Sequence, residues 1–312
     1  MARRDHLAGE VADDLVPAVA PVRIGLVGAG PWAAMVHAPV FAAGPETTLA
    51  AVWARRPEAA DALATRHGAV AVATVEELHE RCDAVAFCVP PAVQAELAVG
   101  AARAGRAVVL EKPIAADLAG ARRLAEVVGE AGVASVVVLT WRFAAPVRRF
   151  LEAASGFDAL GGRGVFVSGA LLGGPFRTPW RLDAGPLPDL GPHVVDLLDA
   201  ALGPVVAVRA AGRADRWVSL LLDHEGGRTS TATVCSHVAV QPTRSGVELH
   251  GEAGVFELDC ADAVGPEAFA TFRAEVAAAV RTGAAHPLDV QRGLHLQRLL
   301  GEALHQLEST GP

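Results

Sequence analysis

Val22-Arg23-Ile24-Gly25-Leu26-Val27-Gly28-Ala29-Gly30-Pro31-Trp32-Ala33 is the stretch that decides the fold. The apolar run from Val22 to Val27 reads as a buried parallel strand. It breaks at Gly28-Ala29-Gly30, and a helical pattern follows from Pro31 to about Ala43. Strand, glycine turn and helix in succession are the context of a dinucleotide fingerprint. Gly28 permits the turn, Gly30 lets the backbone approach a pyrophosphate, and Ala33 in the third glycine's place still allows close strand–helix packing. The pyrophosphate would lie at the helix N-terminus, where free N–H groups and the macrodipole favour an anion. The structural alternative is a plain turn.

Working outward, strand and helix patterns alternate. Strands are expected at Thr48–Ala54, Ala84–Val89, Ala107–Leu110 and Ala134–Thr140. Helices are expected at Pro57–His67, Ala92–Ala104 and Ala115–Gly132, with a short one capped by Thr74 and Glu77. This pattern predicts a doubly wound parallel sheet, a Rossmann domain. Near residue 145 the pattern changes. After one more helix, Arg216–Asp223 and Arg228–His237 flank Glu225-Gly226-Gly227, and Val247–His250 and Val255–Leu258 flank a second hairpin loop. Helices over Pro266–Arg281 and Pro287–Leu307 close the chain. The expected division is an extension over 1–20, a Rossmann domain over 21–143, and an α+β domain with a large, mostly antiparallel sheet over 144–312.

The chain has 312 residues, is 52% apolar and 20% charged, and carries a net charge of −8. That composition fits a globular enzyme-sized protein of two domains and argues against a nucleic-acid binder, which shows a basic face. Cys82, Cys88, Cys235 and Cys260 have neither metal-ligand spacing nor a disulfide framework, so buried thiols in a reducing cytoplasm are expected. No apolar run follows Arg3 and Arg4, so no signal peptide is read there, and the glycines and prolines within 24–45 argue against a membrane span. The absence of tyrosine removes every mechanism built on a tyrosine acid.

Three constellations carry chemistry. Glu111-Lys112-Pro113 ends a strand at the carboxyl edge of the sheet, the edge where open α/β folds bind ligands; a solvated surface lysine is the alternative. Asp189-Leu190-Gly191-Pro192-His193-Val194-Val195-Asp196 puts Asp189 and His193 four residues apart, on one helical face. The carboxylate raises the histidine pKa, while a helix N-terminus and a nearby ammonium lower it, so a histidine near neutrality is expected. The alternative is an Asp189 N-cap beside a packed histidine. Finally, the second strand ends in Trp53-Ala54-Arg55-Arg56, with no acid for a ribose 2′-hydroxyl. Arg55 and Arg56 suit a 2′-phosphate, which points to NADP(H) over NAD(H); two arginines on a solvated loop are the alternative.

Together, in this order, these motifs resemble the Gfo/Idh/MocA family of oxidoreductases, and the resemblance runs from Val22 onwards. Glu111-Lys112-Pro113 resembles the family's Glu-Lys-Pro. Asp189, Gly191, His193 and Asp196 resemble its Asp-x-Gly-x-His-x-x-Asp. Trp180-Arg181 looks like its upstream Trp-Arg pair, and Gly246-Val247-Glu248 to Asp259 like its sheet hairpin. The resemblance implies hydride transfer between nicotinamide and a carbinol or ketone carbon of a sugar-like molecule. In it, Lys112, Asp189 and His193 are the catalytic set: His193 the acid/base, Lys112 a donor to the reacting oxygen, Asp189 a group that orients His193 or holds a neighbouring hydroxyl. Cofactor contacts are expected at Gly28, Gly30, Pro31, Trp32, Ala33, Arg55, Arg56, Val89, Pro90, Glu111, Lys112, Trp180 and Arg181. Departures are Gln94, where many members have histidine, and Gly185-Pro186-Leu187-Pro188 in place of a glycine triplet. A homodimer or homotetramer is implied through the second domain, where the apolar strands Trp217–Leu222 and Thr231–Val240 suggest a large exposed face. A cofactor-recycling glycosidase and a non-catalytic cofactor sensor are the rival implications; no metal, nucleic acid or membrane partner is expected.

Overall fold

β1 (Val22–Val27), β2 (Thr47–Trp53), β3 (Val70–Ala71), β4 (Ala84–Phe87), β5 (Ala107–Leu110) and β6 (Ser135–Val137) form one all-parallel sheet. Its order, β3-β2-β1-β4-β5-β6, is that of the Rossmann fold. The computed structural model describes residues 19–309; most of the expected extension, Arg3 and Arg4 included, lies outside the described residues. β4 and β5 are buried along their whole length, as strands covered on both faces must be. The covering helices are α1 (Ala38–Ala42), α2 (Pro57–His67), α3 (Val75–Arg81), α4 (Pro91–Arg103) and α5 (Leu118–Ala131).

Three expectations are corrected locally. The first helix carries a π-helical turn over Ala33–His37 before α1. Pro39 has no N–H for the Met35 carbonyl and its ring crowds that oxygen, so a wider turn relieves both. α5 starts at Leu118 rather than Ala115, because Asp117 takes the N-cap and accepts from the Gly120 N–H at 2.7 Å. β6 stops at Val137, and by Thr140 the chain has entered a 3₁₀ turn, Thr140–Phe143.

Then follow α6 (Ala145–Ala154), β7 (Ala159–Val167), α7 (Pro179–Ala184) and α8 (Pro186–Leu202). β8 (Val205–Gly212), β9 (Trp217–His224), β10 (Thr229–Cys235), β11 (Arg244–Gly251) and β12 (Gly254–Asp259) complete a second sheet with β7. Its order is β12-β11-β7-β10-β9-β8; only β7 and β10 run parallel. α8 covers the inner face, and a side chain at Gly164 on β7 would press into Val194 and Leu198 of that helix. The outer face is more polar than the sequence suggested. β10 ends at Cys235, not Val240, and alternation turns Thr229, Thr231 and Thr233 outward beside the Arg163–Glu248 and Arg209–Asp223 ion pairs.

The last two helices, α9 (Pro266–Thr282) and α10 (Val290–Ser309), return to the first sheet. Arg273 on α9 ion-pairs Glu46 at 2.7 Å, and Arg281 donates to the Glu46 carbonyl at 2.9 Å. On α10, Gln297 exchanges hydrogen bonds with the Ala115 backbone at 2.7 and 3.2 Å. Further along α10, Gln306 bonds the Ala210 N–H and the Val208 carbonyl of β8, so this terminal helix touches both sheets.

Candidate active site

The glycine turn is built as a close-approach site. Gly28 adopts φ +114°, and a Cβ there would collide with the Cys88 carbonyl on the neighbouring strand's end. Gly30 faces open space, with nothing within 4 Å of where its Cβ would stand. That opening lies at the first helical turn, where a phosphate meets free N–H groups, so the residues fit a dinucleotide. Pro31 and Trp32 begin the turn, and Ala33 is fully buried against the sheet. Arg55 and Arg56, at the end of β2, are exposed; the Arg56 carbonyl accepts from the Ala59 and Ala60 N–H groups, and neither guanidinium enters a hydrogen bond or ion pair among the described residues. Val89 and Pro90 lead from β4 into α4 on the same edge.

β5 ends in the Glu111-Lys112-Pro113 turn, which includes a cis Lys112–Pro113 bond. Gln94, fully buried on α4, grips this turn on four backbone groups. Its amide donates to the carbonyls of Glu111 (2.7 Å), Pro113 (3.3 Å) and Ile114 (3.1 Å), and its oxygen accepts from the Glu111 N–H (2.9 Å). The Glu111 carboxylate accepts from the Trp32 indole and from His37 Nε2, both at 2.7 Å, locking the glycine turn to β5.

Lys112 crosses to the second domain. Its Nζ donates to the Asp189 carbonyl at 2.6 Å and to Asp189 Oδ1 at 2.8 Å. Arg181 Nε approaches Asp189 Oδ2 at 3.3 Å, while the Arg181 guanidinium lies over the Trp180 ring at 4.5 Å and the Phe176 ring at 5.8 Å. Phe176 meets Trp32 edge-on at 5.9 Å, so the loop before α7 reaches back to the glycine turn. Although burial opposes ionisation, the two cations hold the Asp189 carboxyl down at about 2.

Asp189 and His193 share a face of α8, as expected, but two details differ. α8 starts at Pro186, with Gly185 as its N-cap, so Asp189 is not the cap and Pro192 lies inside the helix. Nor does Asp189 orient His193: no hydrogen bond joins them, because Lys112 and Arg181 hold the carboxylate. His193 is instead packed against aromatic rings, Trp141 at 5.2 Å and Phe166 at 6.1 Å. Its Nδ1 is sealed without a partner. Nε2 carries no hydrogen bond either and is not among the sealed atoms, which makes it the nitrogen open to the cleft. Burial first, and Lys112 second, push the ring pKa down to about 3 despite Asp189. A histidine near neutrality was expected; desolvation overrides the carboxylate because that charge is already spent on two cations.

Asp196, the last residue of the motif, belongs to a different network. It receives Arg142 Nη1 at 3.0 Å and Arg292 Nε at 2.7 Å, and Arg292 also pairs with Asp199, which His295 holds at 2.7 Å. It pins α8 to α10 and does not face the acid/base. Trp141 and Phe166 were missed; Phe166 lies on a short alternating strand whose inward face could have been read, while nothing local marks Trp141. A groove of 580 Å³ beside α10 shares Pro90, Lys112 and Trp180 with the site but not Arg181, Asp189 or His193; Ile114, Leu296, Leu300 and Leu304 are among its lining. Among the described residues no cluster suits a metal ion, and no helix is long and apolar enough to cross a membrane.

The site thus joins a glycine turn at the edge of the first sheet, a lysine at the end of its fifth strand, and an aspartate and a histidine delivered by α8 of the second domain. Residues 22–139 match the model of the oxidoreductase family with an NAD-binding Rossmann fold, and residues 162–257 match the family's C-terminal domain. The chain belongs to the Gfo/Idh/MocA family. It is 32% identical over 200 residues to the dTDP-3,4-didehydro-2,6-dideoxy-alpha-D-glucose 3-reductase of Streptomyces violaceoruber, 62% of this chain and 58% of that protein. It is 36% identical over 124 residues to the inositol 2-dehydrogenase of Rhizobium meliloti, 39% of this chain and 37% of that one. The chain thus spans less than two thirds of the length of these relatives. GenD2 from gentamicin A biosynthesis, solved in complex with NAD, shares the fold with a TM-score of 0.82 at 22% identity, covering 100% of this chain and 98% of GenD2.

Proposed function

We propose that the protein is an NAD(P)-dependent oxidoreductase acting on a carbinol or ketone carbon of a sugar, cyclitol or related small molecule, with NADP(H) preferred. The observation that carries this reading is the junction of Lys112, from the dinucleotide edge, with Asp189 and His193, from the second domain. Bound nicotinamide supplies or accepts the hydride. An ammonium has three N–H groups, and two of those on Lys112 go to Asp189, which leaves one for the substrate oxygen. There it stabilises the negative charge that develops during reduction. His193, held neutral, accepts the carbinol proton at Nε2 in the oxidative direction. Arg181 and Lys112 keep Asp189 ionised, so the cluster keeps its charge across the physiological range.

Gly28, Gly30, Pro31, Ala33, Val89 and Pro90 would line the dinucleotide path. Trp32 and Glu111 would brace it, Trp180 and Arg181 would close it, and Arg55 and Arg56 would take a 2′-phosphate. The relatives' names, a deoxysugar reductase and an inositol dehydrogenase, support a sugar-like substrate. The uncovered outer face of the second sheet, with Trp217 47% exposed, supports a homodimer or homotetramer, which light scattering checks: a monomer mass at micromolar concentration refutes it. Four free thiols suit the cytoplasm as its place of work.

The test is a screen of NADPH oxidation over keto-sugars and of NADP⁺ reduction over sugars, cyclitols and dihydrodiols. Stoichiometric cofactor consumption is expected. Hydrolysis without net consumption would favour the cofactor-recycling glycosidase, and cofactor binding with no turnover would favour the sensor.

A further inference from the structure

We propose that the groove beside α10 holds the part of the substrate that does not react, and that this part is an apolar body carrying a protonated amine. The proposal rests on the oxidoreductase reading above and adds to it the substrate class: a ring joined to a lipophilic amine, rather than a free sugar or cyclitol.

The groove, of 580 Å³, meets the site at Lys112 and Trp180, whereas a second cavity, of 470 Å³ between Arg148 and His286, touches neither. A molecule whose reacting oxygen lies on Lys112 therefore has this space for the rest of its body. The space is sized for more than one ring, since pockets of roughly 300–1,000 Å³ hold drug-sized ligands. Its lining is mostly carbon: Leu118 and Pro192 join Ile114, Leu296, Leu300 and Leu304. Hydroxyls set against such walls would give up water without gaining a partner. α10 keeps the space open. Gly301 lines it from inside that helix, where glycine is disfavoured, and a Cβ on it would meet no neighbouring group within 4 Å. Gly293, on the same helix, differs: a Cβ there would press on Ile114 at 2.6 Å. Packing explains Gly293; the open groove explains Gly301.

The charges set the sign of the ligand. Asp117, Asp183, Asp215 and Glu308 all line the groove. Two of these carboxylates are engaged: Asp117 caps α5, and Asp215 pairs with Arg213 at 2.9 Å. Asp183, on α7, and Glu308, near the end of α10, are exposed, and neither carboxylate enters a hydrogen bond or ion pair among the described residues. Lys112 is the one cation in the lining among the described residues, and its ammonium already donates twice to Asp189. An apolar body satisfies the walls, and an amine on it satisfies the two free carboxylates. A carboxylate or phosphate on the same body would be repelled by them.

The probes are 4-phenylbutylamine, 4-phenylbutan-1-ol and 4-phenylbutyrate, alike in shape and cationic, neutral and anionic in turn. Each is titrated into the full-length protein saturated with NADPH, with leucine methyl groups isotope-labelled, so that NMR shifts give both Kd and place. Shifts are expected at Leu296, Leu300 and Leu304. The amine should bind about fivefold to tenfold tighter than the alcohol, the gain of two exposed ion pairs, and the acid should bind weakest. Added salt should narrow the gap. Asp183→Asn with Glu308→Gln should make amine and alcohol alike without weakening the alcohol. Gly301→Leu, which favours the helix and fills the groove, should weaken all three about tenfold or more at unchanged or raised Tm. In turnover with NADP⁺, 4-(aminomethyl)phenyl glucoside should exceed methyl glucoside in kcat/KM, and Gly301→Leu should remove that advantage alone. The proposal is overturned if the three probes bind alike, if none binds, if bound NADPH shuts the amine out, if Gly301→Leu changes nothing, or if the amine glucoside gains nothing over the methyl glucoside. Charge-selective binding in the groove with no turnover of any sugar would instead uphold the ligand class and remove the oxidoreductase reading; turnover of plain sugars by a protein blind to the probes' charge would do the reverse.

Discussion

His193→Gln should make the protein less sensitive to acid, and the size of the effect follows from the site. The imidazole's ordinary value is 6.5; in the folded protein, burial and then Lys112 push it down to about 3. A base whose folded pKa is lowered takes up protons in the unfolded state first. Its penalty is absent above 6.5 and grows as pH falls from 6.5 towards 3. Between pH 7 and pH 5, protonation of the unfolded histidine alone removes about 2 kcal/mol of stability. Asp189 works at lower pH: its carboxyl, at about 2 when folded against an ordinary 3.8, contributes stability above 3.8 that is lost as pH falls through 2. It is therefore constant in this window. His67, His79 and His237, also lowered by burial, are present in both proteins and cancel. Urea unfolding of wild type and His193→Gln at pH 7 and pH 5 should show the wild type losing about 2 kcal/mol more than the variant, or about 4 °C in Tm. Equal losses would refute the argument, because the ring would then be solvated or paired when folded.

Other perturbations probe separate parts. Arg55 and Arg56 are exposed and free of ion pairs, so NADP(H) should bind at least about tenfold tighter than NAD(H), about 1.4 kcal/mol, and the double alanine variant should lose the preference; equal Kd values in the wild type would contradict it. With a true substrate, Lys112→Ala and His193→Ala should each lower kcat by about 10²-fold or more with little change in cofactor Kd, whereas a purely packing His193 would lower Tm and spare kcat. Gln94→Ala strands four backbone groups of the Glu111–Ile114 turn and should cost about 1–3 kcal/mol in thermal or urea unfolding and lower kcat through a misplaced Lys112; unchanged stability would mean the turn holds itself.

Whatever rests on neighbours in sequence was legible beforehand. The glycine turn, the alternating strands and the i, i+4 face of Asp189 and His193 are local, and each is present, with β4, β6 and β10 ending earlier than the pattern suggested. What was hidden depends on residues far apart in the chain. The resemblance implied that Asp189 orients His193 or holds a neighbouring hydroxyl, and the two do lie a helical turn apart. Lys112, 77 residues earlier, takes the carboxylate instead, since an ammonium at 2.8 Å outcompetes a ring that burial keeps neutral. Gln94 looked like a departure from a family pattern, yet its amide carries both donors and an acceptor, and all of its side-chain hydrogen bonds go to this one turn. The same distance effect explains the histidine's pKa. The sequence shows which charges can come near His193, but not that Trp141 and Phe166 exclude the water that would have solvated it. Desolvation is set by what surrounds a group on every side, and on α8 those sides are supplied by β7, by the Thr140–Phe143 turn and by Lys112 from the other domain. An acid/base residue can thus be located from one helix's sequence, while its protonation state is a property of the assembled interface between two domains.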